Sequence, residues 1–299
     1  MPRVLVIGSL NVDHIYRVEE FAEAEHNLPA VEYSRMVGGK GANQARAIQL
    51  SGTEMDFIGI VGNDSQGTWL LEELKHKSFP TEHIKTNEGI TSHVIIQSRG
   101  DGKCASFIWM GVGLTHSFDQ MDFSKYEVIV LQNEINNIDR ILELCKNKKV
   151  MFNPSPVLPN LPIRYFGVEW LIMNYNEWQK FVKTFNILEA SMECQLSLAK
   201  KLSNATTIII TLGPKGSLAI DEDGKTHFVA SLTPKVFLDA TGAGDTFAGY
   251  LVAMQAQGKC LRESMEIATI AASIKIQHLG AFDGIPSMDK VINSRTNSR

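Results

Sequence analysis

The sequence predicts an α/β fold: a doubly wound, mostly parallel central sheet flanked by helices, with a small second β-sheet. Three observations predict it. First, six short runs are continuously apolar and rich in β-branched residues: Val4–Ile7, Phe57–Val61, Val128–Leu131, Val150–Phe152, Trp170–Met173 and Thr207–Thr211. Such runs suit strands covered on both faces. Second, segments with helical spacing separate them: Gly41–Ser51, Gly67–Lys77, Ile138–Lys146, Glu177–Phe185, Met192–Ser203, Thr246–Gln257 and Leu261–Gln277. Strands alternating with helices specify parallel βαβ units. Third, Val12–Tyr33 and Thr91–Trp109 alternate polar with apolar residues, and Arg99-Gly-Asp-Gly breaks the second stretch. Alternation implies a sheet with one wet face. These stretches are read as a small separate sheet, with antiparallel edge strands of the main sheet as the alternative.

Composition bounds the function. The 299 residues are 44% hydrophobic and 21% charged, with a formal net charge of −4. No nucleic-acid partner is expected, because such proteins carry a basic stripe. Four cysteines show no CxxC spacing, so reduced, mostly buried thiols in a cytoplasmic protein are expected. The amino-terminal apolar run is too short for a signal peptide, and no run has the roughly 20 apolar residues of a membrane span. The polar tail Asn293–Arg299 is expected to fray.

The chemistry concentrates in a few motifs. Asp239-Ala-Thr-Gly-Ala-Gly-Asp-Thr-Phe247 enters a helical run. Gly242, Ala243 and Gly244 leave backbone amides uncovered at a helix start, which makes an anion hole. Asp245 follows in the first turn. Amides that hold charge on a phosphoryl group, beside a carboxylate that accepts a hydroxyl proton, suit phosphoryl transfer. The alternative is that Asp245 merely caps the helix.

A second motif, Gly38-Gly-Lys-Gly-Ala-Asn-Gln-Ala45, again places glycines before a helix. It is not a Walker loop, and Gly8-Ser-Leu-Asn11 is not a dinucleotide fingerprint. Lys40 and Asn43 are candidates to read polyol hydroxyls; a glycine-rich helix entry with a solvated lysine is the alternative. Asn11-Val-Asp13 follows the first strand, where ligands of doubly wound sheets sit. Asp13 can take hydrogen bonds from neighbouring hydroxyls, or it closes an Asx-type turn. Glu134 and Asn174-Tyr-Asn-Glu177 lie at two further strand ends. There they serve a magnesium network or simply cap helices. The eight histidines show no metal-ligand spacing, and no GxSxG elbow is present.

Together these residues resemble the ribokinase-like, or phosphofructokinase-B type, family of sugar kinases. The resemblance spans about Val4 to Pro286. Gly38–Ala45 matches the family's amino-terminal signature, and Asp239–Asp245 matches the carboxyl-terminal one except at Ala240. Asn11-x-Asp13 and the full glycine run are in the style of the ribokinase branch. The resemblance implies one domain with a small β lid built from about 12–33 and 91–109, through which two copies pair as a homodimer. It implies ATP-dependent phosphorylation of the primary hydroxyl of a small sugar, D-ribose first among candidates. The alternatives are a nucleoside, fructose phosphate or modified pentose as acceptor, or a non-catalytic sugar sensor.

The resemblance makes Asp245 the catalytic base and the amides of Gly242, Ala243 and Gly244 the anion hole. Sugar hydroxyls would be held by Asn11, Asp13, Gly39, Lys40, Asn43, Glu134 and Asp245. Asn174 and Glu177 would act through magnesium and phosphate. Thr211, Gly213 and Gly216 would lie near the nucleotide's phosphates and ribose, and Thr269 beside its adenine. Potassium is implied at Asp239, Thr241, Lys275, His278, Gly280 and Gly284, largely through carbonyls. Glycine at 284 lacks the hydroxyl often found there, and Asp283 is a candidate substitute. Glu23-Ala-Glu-His-Asn27, Gly111-Val-Gly113 and Pro214 depart from the family pattern in the lid and the nucleotide rim.

Overall fold

The computed structural model describes residues 3–23, 25, 27–100, 103–115, 121–157, 167–187 and 191–297. Ala24 and His26 of the departing lid segment, and Asp101 and Gly102 of the expected turn, lie outside them.

Thirteen strands are described: β1 (Val4–Ile7), β2 (Asn11–Val18), β3 (Glu32–Gly38), β4 (Met55–Gly62), β5 (Ile84–Asn87), β6 (His93–Arg99), β7 (Cys104–Trp109), β8 (Val128–Gln132), β9 (Lys149–Asn153), β10 (Trp170–Asn174), β11 (Thr207–Thr211), β12 (Ser217–Ile220) and β13 (Thr226–Val229). Eight α-helices accompany them: α1 (Lys40–Leu50), α2 (Ser65–His76), α3 (Ile138–Leu144), α4 (Tyr175–Thr184), α5 (Met192–Ser203), α6 (Ala243–Ala256), α7 (Leu261–Lys275) and α8 (Met288–Asn297).

Nine strands form one sheet in the order β13-β12-β11-β10-β9-β8-β1-β4-β5. It is parallel from β11 to β5, and the β12–β13 hairpin adds an antiparallel edge. Successive residues of β1 show why its sequence is continuously apolar. Val4 and Val6 enter one core, Leu5 and Ile7 enter the other, and all four are fully buried. One core includes residues of α1, α6 and α7; the other includes residues of α3, α4 and α5. This is the two-sided covering expected of a doubly wound sheet.

The alternating stretches form a separate four-stranded sheet, ordered β3-β2-β6-β7. The edge-strand alternative is therefore set aside. Asn11 and Asp13 belong to β2, opposite Gly38 and Met36 of β3, so the Asx-turn reading is replaced by a strand.

Two other expectations change. The tail does not fray at Asn293, because α8 runs to Asn297. Arg295 anchors it, reaching Glu263 and Glu266 of α7, each at 3.4 Å. Only Cys145 is buried; Cys104, Cys194 and Cys260 are exposed, and none is in a disulfide. Among the described residues no helix is long and apolar enough to cross a membrane.

Candidate active site

Several candidate residues gather at the carboxyl ends of the central strands. Ser9 follows β1, Glu134 follows β8, Asn174 ends β10 and Thr211 ends β11. In open α/β sheets this edge is where ligands bind.

Asp13 is built in by its neighbours. A side chain at Gly38 would collide with the Asp13 carboxylate, so glycine clears its seat. Gly39, at φ 99°, then turns the chain into α1, a conformation that L side chains rarely adopt. These two glycines thus seat the Asp13 carboxylate and set the entry to α1. Asn11, Asp13 and Asn43 are 2%, 6% and 4% exposed. Asn11 Oδ1, Asp13 Oδ1 and Asn43 Oδ1 are buried without a hydrogen-bond partner among the described residues. Burying such atoms without partners costs about 1–3 kcal/mol each, which suits atoms that meet a polar ligand.

Charge is dense here. Burial, together with the Glu134, Asp245 and Asp239 carboxylates, pushes the Asp13 carboxyl up to about 7. Glu134 accepts the Ser9 hydroxyl at 2.5 Å and faces Lys40 Nζ at 4.0 Å. Burial raises the Glu134 carboxyl, with Lys40 opposing. Burial works against the Lys40 charge, but Asp245, Glu134, Glu177 and Asp13 outweigh it and hold its ammonium above the ordinary lysine range. Lys40 is thus the cation of a carboxylate cluster, not a solvated lysine.

Asp245 lies in the first turn of α6 and is 9% exposed. It does not cap the helix; Gly242, at φ 77°, stands at that position. Its carboxylate is held from α1 instead. Asn43 Nδ2 donates to Oδ2 and Gln44 Nε2 donates to Oδ1, each at 3.1 Å. Gly249 permits this, because a Cβ there would lie 2.5 Å from Gln44 O where α6 crosses α1. Gln44 is fixed in turn by Gln132 Nε2, which donates to its Oε1 at 2.7 Å. Sequence reasoning assigned no role to Gln44, Gln132 or Ser9. Gln44 stood inside the quoted glycine motif, which was the available signal.

The anion turn differs in one respect from expectation. The Ala243 amide donates to Ala240 O at 3.1 Å and so is engaged in the turn itself. The Gly242 and Gly244 amides make no such bond among the described residues. A Cβ at Gly244 would meet nothing within 4 Å, so the chain's own packing does not demand glycine there. The bare backbone leaves room for an anion to approach.

Of the residues expected to meet the nucleotide, Asn174 and Thr211 lie side by side at the ends of β10 and β11. Asn174 and Glu177 form a reciprocal capping box at the start of α4, with both bonds at 2.9 Å. This is the helix-cap role, and it leaves the other carboxylate oxygen of Glu177 outside the box. Gly213 and Gly216 bracket a short turn after Thr211, at φ 58° and 111°. Thr269 Oγ1 is buried without a partner among the described residues. Among the described residues no group of three or more His, Cys, Asp and Glu could hold a metal ion.

The expected potassium loop does not fit potassium. Lys275 was expected to offer its carbonyl, but its ammonium occupies the loop. Nζ donates to Asp239 O at 2.9 Å, Asp239 Oδ2 at 3.2 Å and His278 O at 3.4 Å. Asp239 also accepts the Thr241 amide at 2.8 Å and the Gly280 amide at 2.9 Å. Asp283 turns elsewhere, pairing with Lys77 at 3.0 Å, so it does not substitute for the missing hydroxyl.

Residues 1–288 match the family described as pfkB family carbohydrate kinase. A ribokinase of Lactococcus lactis is 29% identical, covering 97% of this chain and 96% of its own. The crystal structure of a Thermotoga maritima ribokinase superposes with a TM-score of 0.90 at 25% identity, covering 99% of this chain and all of that one. A Cryptococcus neoformans ribokinase in complex with ADP gives 0.85 at 26% identity, covering 98% of this chain and all of that one. The family match runs through both glycine turns and the cleft between them. The chain therefore belongs to the pfkB family of carbohydrate kinases, and it is a sugar kinase.

Proposed function

We propose that this sugar kinase transfers the γ-phosphoryl group of ATP to the primary hydroxyl of D-ribose, giving ribose 5-phosphate and ADP. One observation carries the reading: a buried aspartate, fixed by two amide side chains, stands one residue from a bare-amide turn and faces the acceptor cluster. Asp245 takes the hydroxyl proton as the oxygen attacks the γ-phosphorus in line, and ADP leaves. The Gly242 and Gly244 amides stabilise charge that develops on the phosphoryl oxygens. Asn11, Asp13, Gly39, Lys40, Asn43 and Glu134 orient the sugar.

The nucleotide lies toward Thr211, Gly213, Gly216 and Thr269. Glu177, whose other carboxylate oxygen lies outside the cap, would hold magnesium, which would supply charge neutralisation on the phosphates. It would take most of its ligands from phosphate and water, as magnesium ordinarily does. The ADP held by the Cryptococcus ribokinase supports the nucleotide assignment, and the Lactococcus relative's activity supports the sugar.

The small sheet acts as a lid over the sugar and limits wasteful ATP hydrolysis. Met36 of β3 already lies against Gly280. Exposed Tyr33, Phe107 and Trp109 support its pairing with a second copy.

An acceptor panel with ATP and magnesium tests the assignment. ADP release should be largest with D-ribose and low without a sugar. Faster release with a nucleoside, a fructose phosphate or a modified pentose would reassign the acceptor. Release that ignores every acceptor would end the reading.

A further inference from the structure

We propose that the Lys275 ammonium is a built-in substitute for a monovalent cation, so that phosphoryl transfer by this chain does not require potassium. The inference rests on the sugar-kinase reading and concerns how its anion turn is held.

Three features carry it. The first is burial. The Lys275 side chain is 0% exposed, although lysine is almost never fully buried without a partner. The second is the donor count. An ammonium has three N–H donors and no acceptor, and this one faces three oxygens: a carboxylate and two main-chain carbonyls. These are the hard oxygen ligands that a monovalent cation would use, so one positive charge already occupies their focus. A second cation on the same oxygens would meet like-charge repulsion and would lose Asp239 O, Asp239 Oδ2 and His278 O as ligands. The third is steric. A Cβ at Gly284 would lie 3.1 Å from Lys275 Cε and 2.8 Å from Gly280 O. Glycine at 284 therefore clears the Gly280 carbonyl first and also leaves room for the lysine stem.

The electrostatics of Asp239 agree. Burial alone would raise the Asp239 carboxyl, but the Lys275 charge and the Thr241 hydrogen bonds hold it below the ordinary aspartate range. Burial pulls the Lys275 ammonium down, with Asp239 opposing.

Lys275 touches neither of the bare amides. It acts through Asp239, which ties Thr241 on one side and Gly280 on the other. Those ties set the turn that presents the Gly242 and Gly244 amides. Lys275 is thus a positioning residue.

The test compares potassium with tetramethylammonium at equal ionic strength. For the unaltered protein, kcat, the KM for ATP and the melting temperature should be the same in both salts. Lys275→Met keeps the stem and removes the charge. It should lose on the order of 10²-fold in kcat in tetramethylammonium, as when a fixed electrostatic contact in a phosphoryl site is removed. Potassium should restore part of that rate and raise the variant's melting temperature, because the cation then binds only the folded state.

A rate or melting temperature of the unaltered protein that climbs with potassium would overturn the proposal. So would rubidium seated among Asp239, His278 and Gly284 in crystals of the unaltered protein. That diffraction measurement decides even if Lys275→Met does not fold. If no sugar supports ADP release in either salt, the sugar-kinase reading fails, while the melting and rubidium results still decide the cation question.

Discussion

The residues proposed to hold the acceptor and those proposed to hold the nucleotide are built differently. Asn11 and Asp13 of β2, Asn43 of α1 and Asp245 of α6 are all buried, and Asn43 and Gln44 of α1 bond Asp245. Asn174 and Gly213 are exposed, Thr211 and Glu177 are half-buried, Gly216 and Thr269 are buried, and among the described residues the side-chain bonds between these six close a helix cap. The acceptor half is preorganised by the chain, at the cost of crowding like charges. The proposed nucleotide half has fewer side-chain bonds among its described residues. Substitutions on the acceptor side should therefore act on turnover and sugar recognition together with stability. Those on the nucleotide side should act weakly and on ATP alone.

The largest effect expected is that of Asp245→Asn. It keeps the shape of the site and removes the base, so kcat should fall by about 10²–10⁴-fold. Calorimetric binding of ribose and ATP should persist. Turnover at the parent rate would remove Asp245 from the mechanism and with it the contrast between the two halves.

Asp13→Asn comes next. Replacing a charged acceptor should weaken ribose binding by about 10- to 100-fold, the range for a hydrogen bond to a charged group. It also sharpens the stability side of the comparison. Asp13 ionises at about 7 in the folded chain and at its ordinary value of 3.8 in the unfolded one. The folded state holds the proton more tightly, so Asp13 costs stability increasingly as pH rises from about 4 to about 7, and fully above that. Asp13→Asn should therefore raise the melting temperature at pH 8 relative to the parent, with a smaller gain at pH 5. Ribose affinity of the parent should strengthen as pH rises through about 7, because the carboxylate accepts hydroxyl protons, and the variant should lose that dependence. A melting difference independent of pH would show that Asp13 is not the strained group.

The smallest effect expected is at the rim. Thr269→Val removes one neutral hydroxyl and should raise the KM for ATP by about 2- to 10-fold, leaving ribose binding unchanged. A loss of ribose affinity would break the division between the halves.

How much of this was legible in the sequence follows the same division. The continuous runs of β1, β8 and β11 announced buried parallel strands because both faces are covered. The polar alternation of β2 and β6 announced the second sheet. Edge elements were silent for the opposite reason: β5 is polar and short, and the β12–β13 hairpin was passed over although Asp221-Glu-Asp-Gly224 marks its turn. Helix α8 was lost because its anchor, Arg295 on Glu263 and Glu266, is a tertiary contact that no local pattern carries. In the site, Asp245 was legible because glycines flank it. Gln44 was visible but mute, since its role depends on α6 crossing α1 at Gly249. Lys275 was read for its carbonyl. Only the fold shows that its side chain turns inward, where Gly284 leaves room.

The central claim is phosphoryl transfer to the primary hydroxyl of a small sugar. ADP release with D-ribose against 5-deoxy-D-ribose, under otherwise identical conditions, tests it most directly. The account predicts sustained release with D-ribose, a phosphorus resonance of a 5-phosphate in the product, and no stimulation by the deoxy sugar. Equal stimulation by both sugars, or a phosphate on any other hydroxyl, would contradict it.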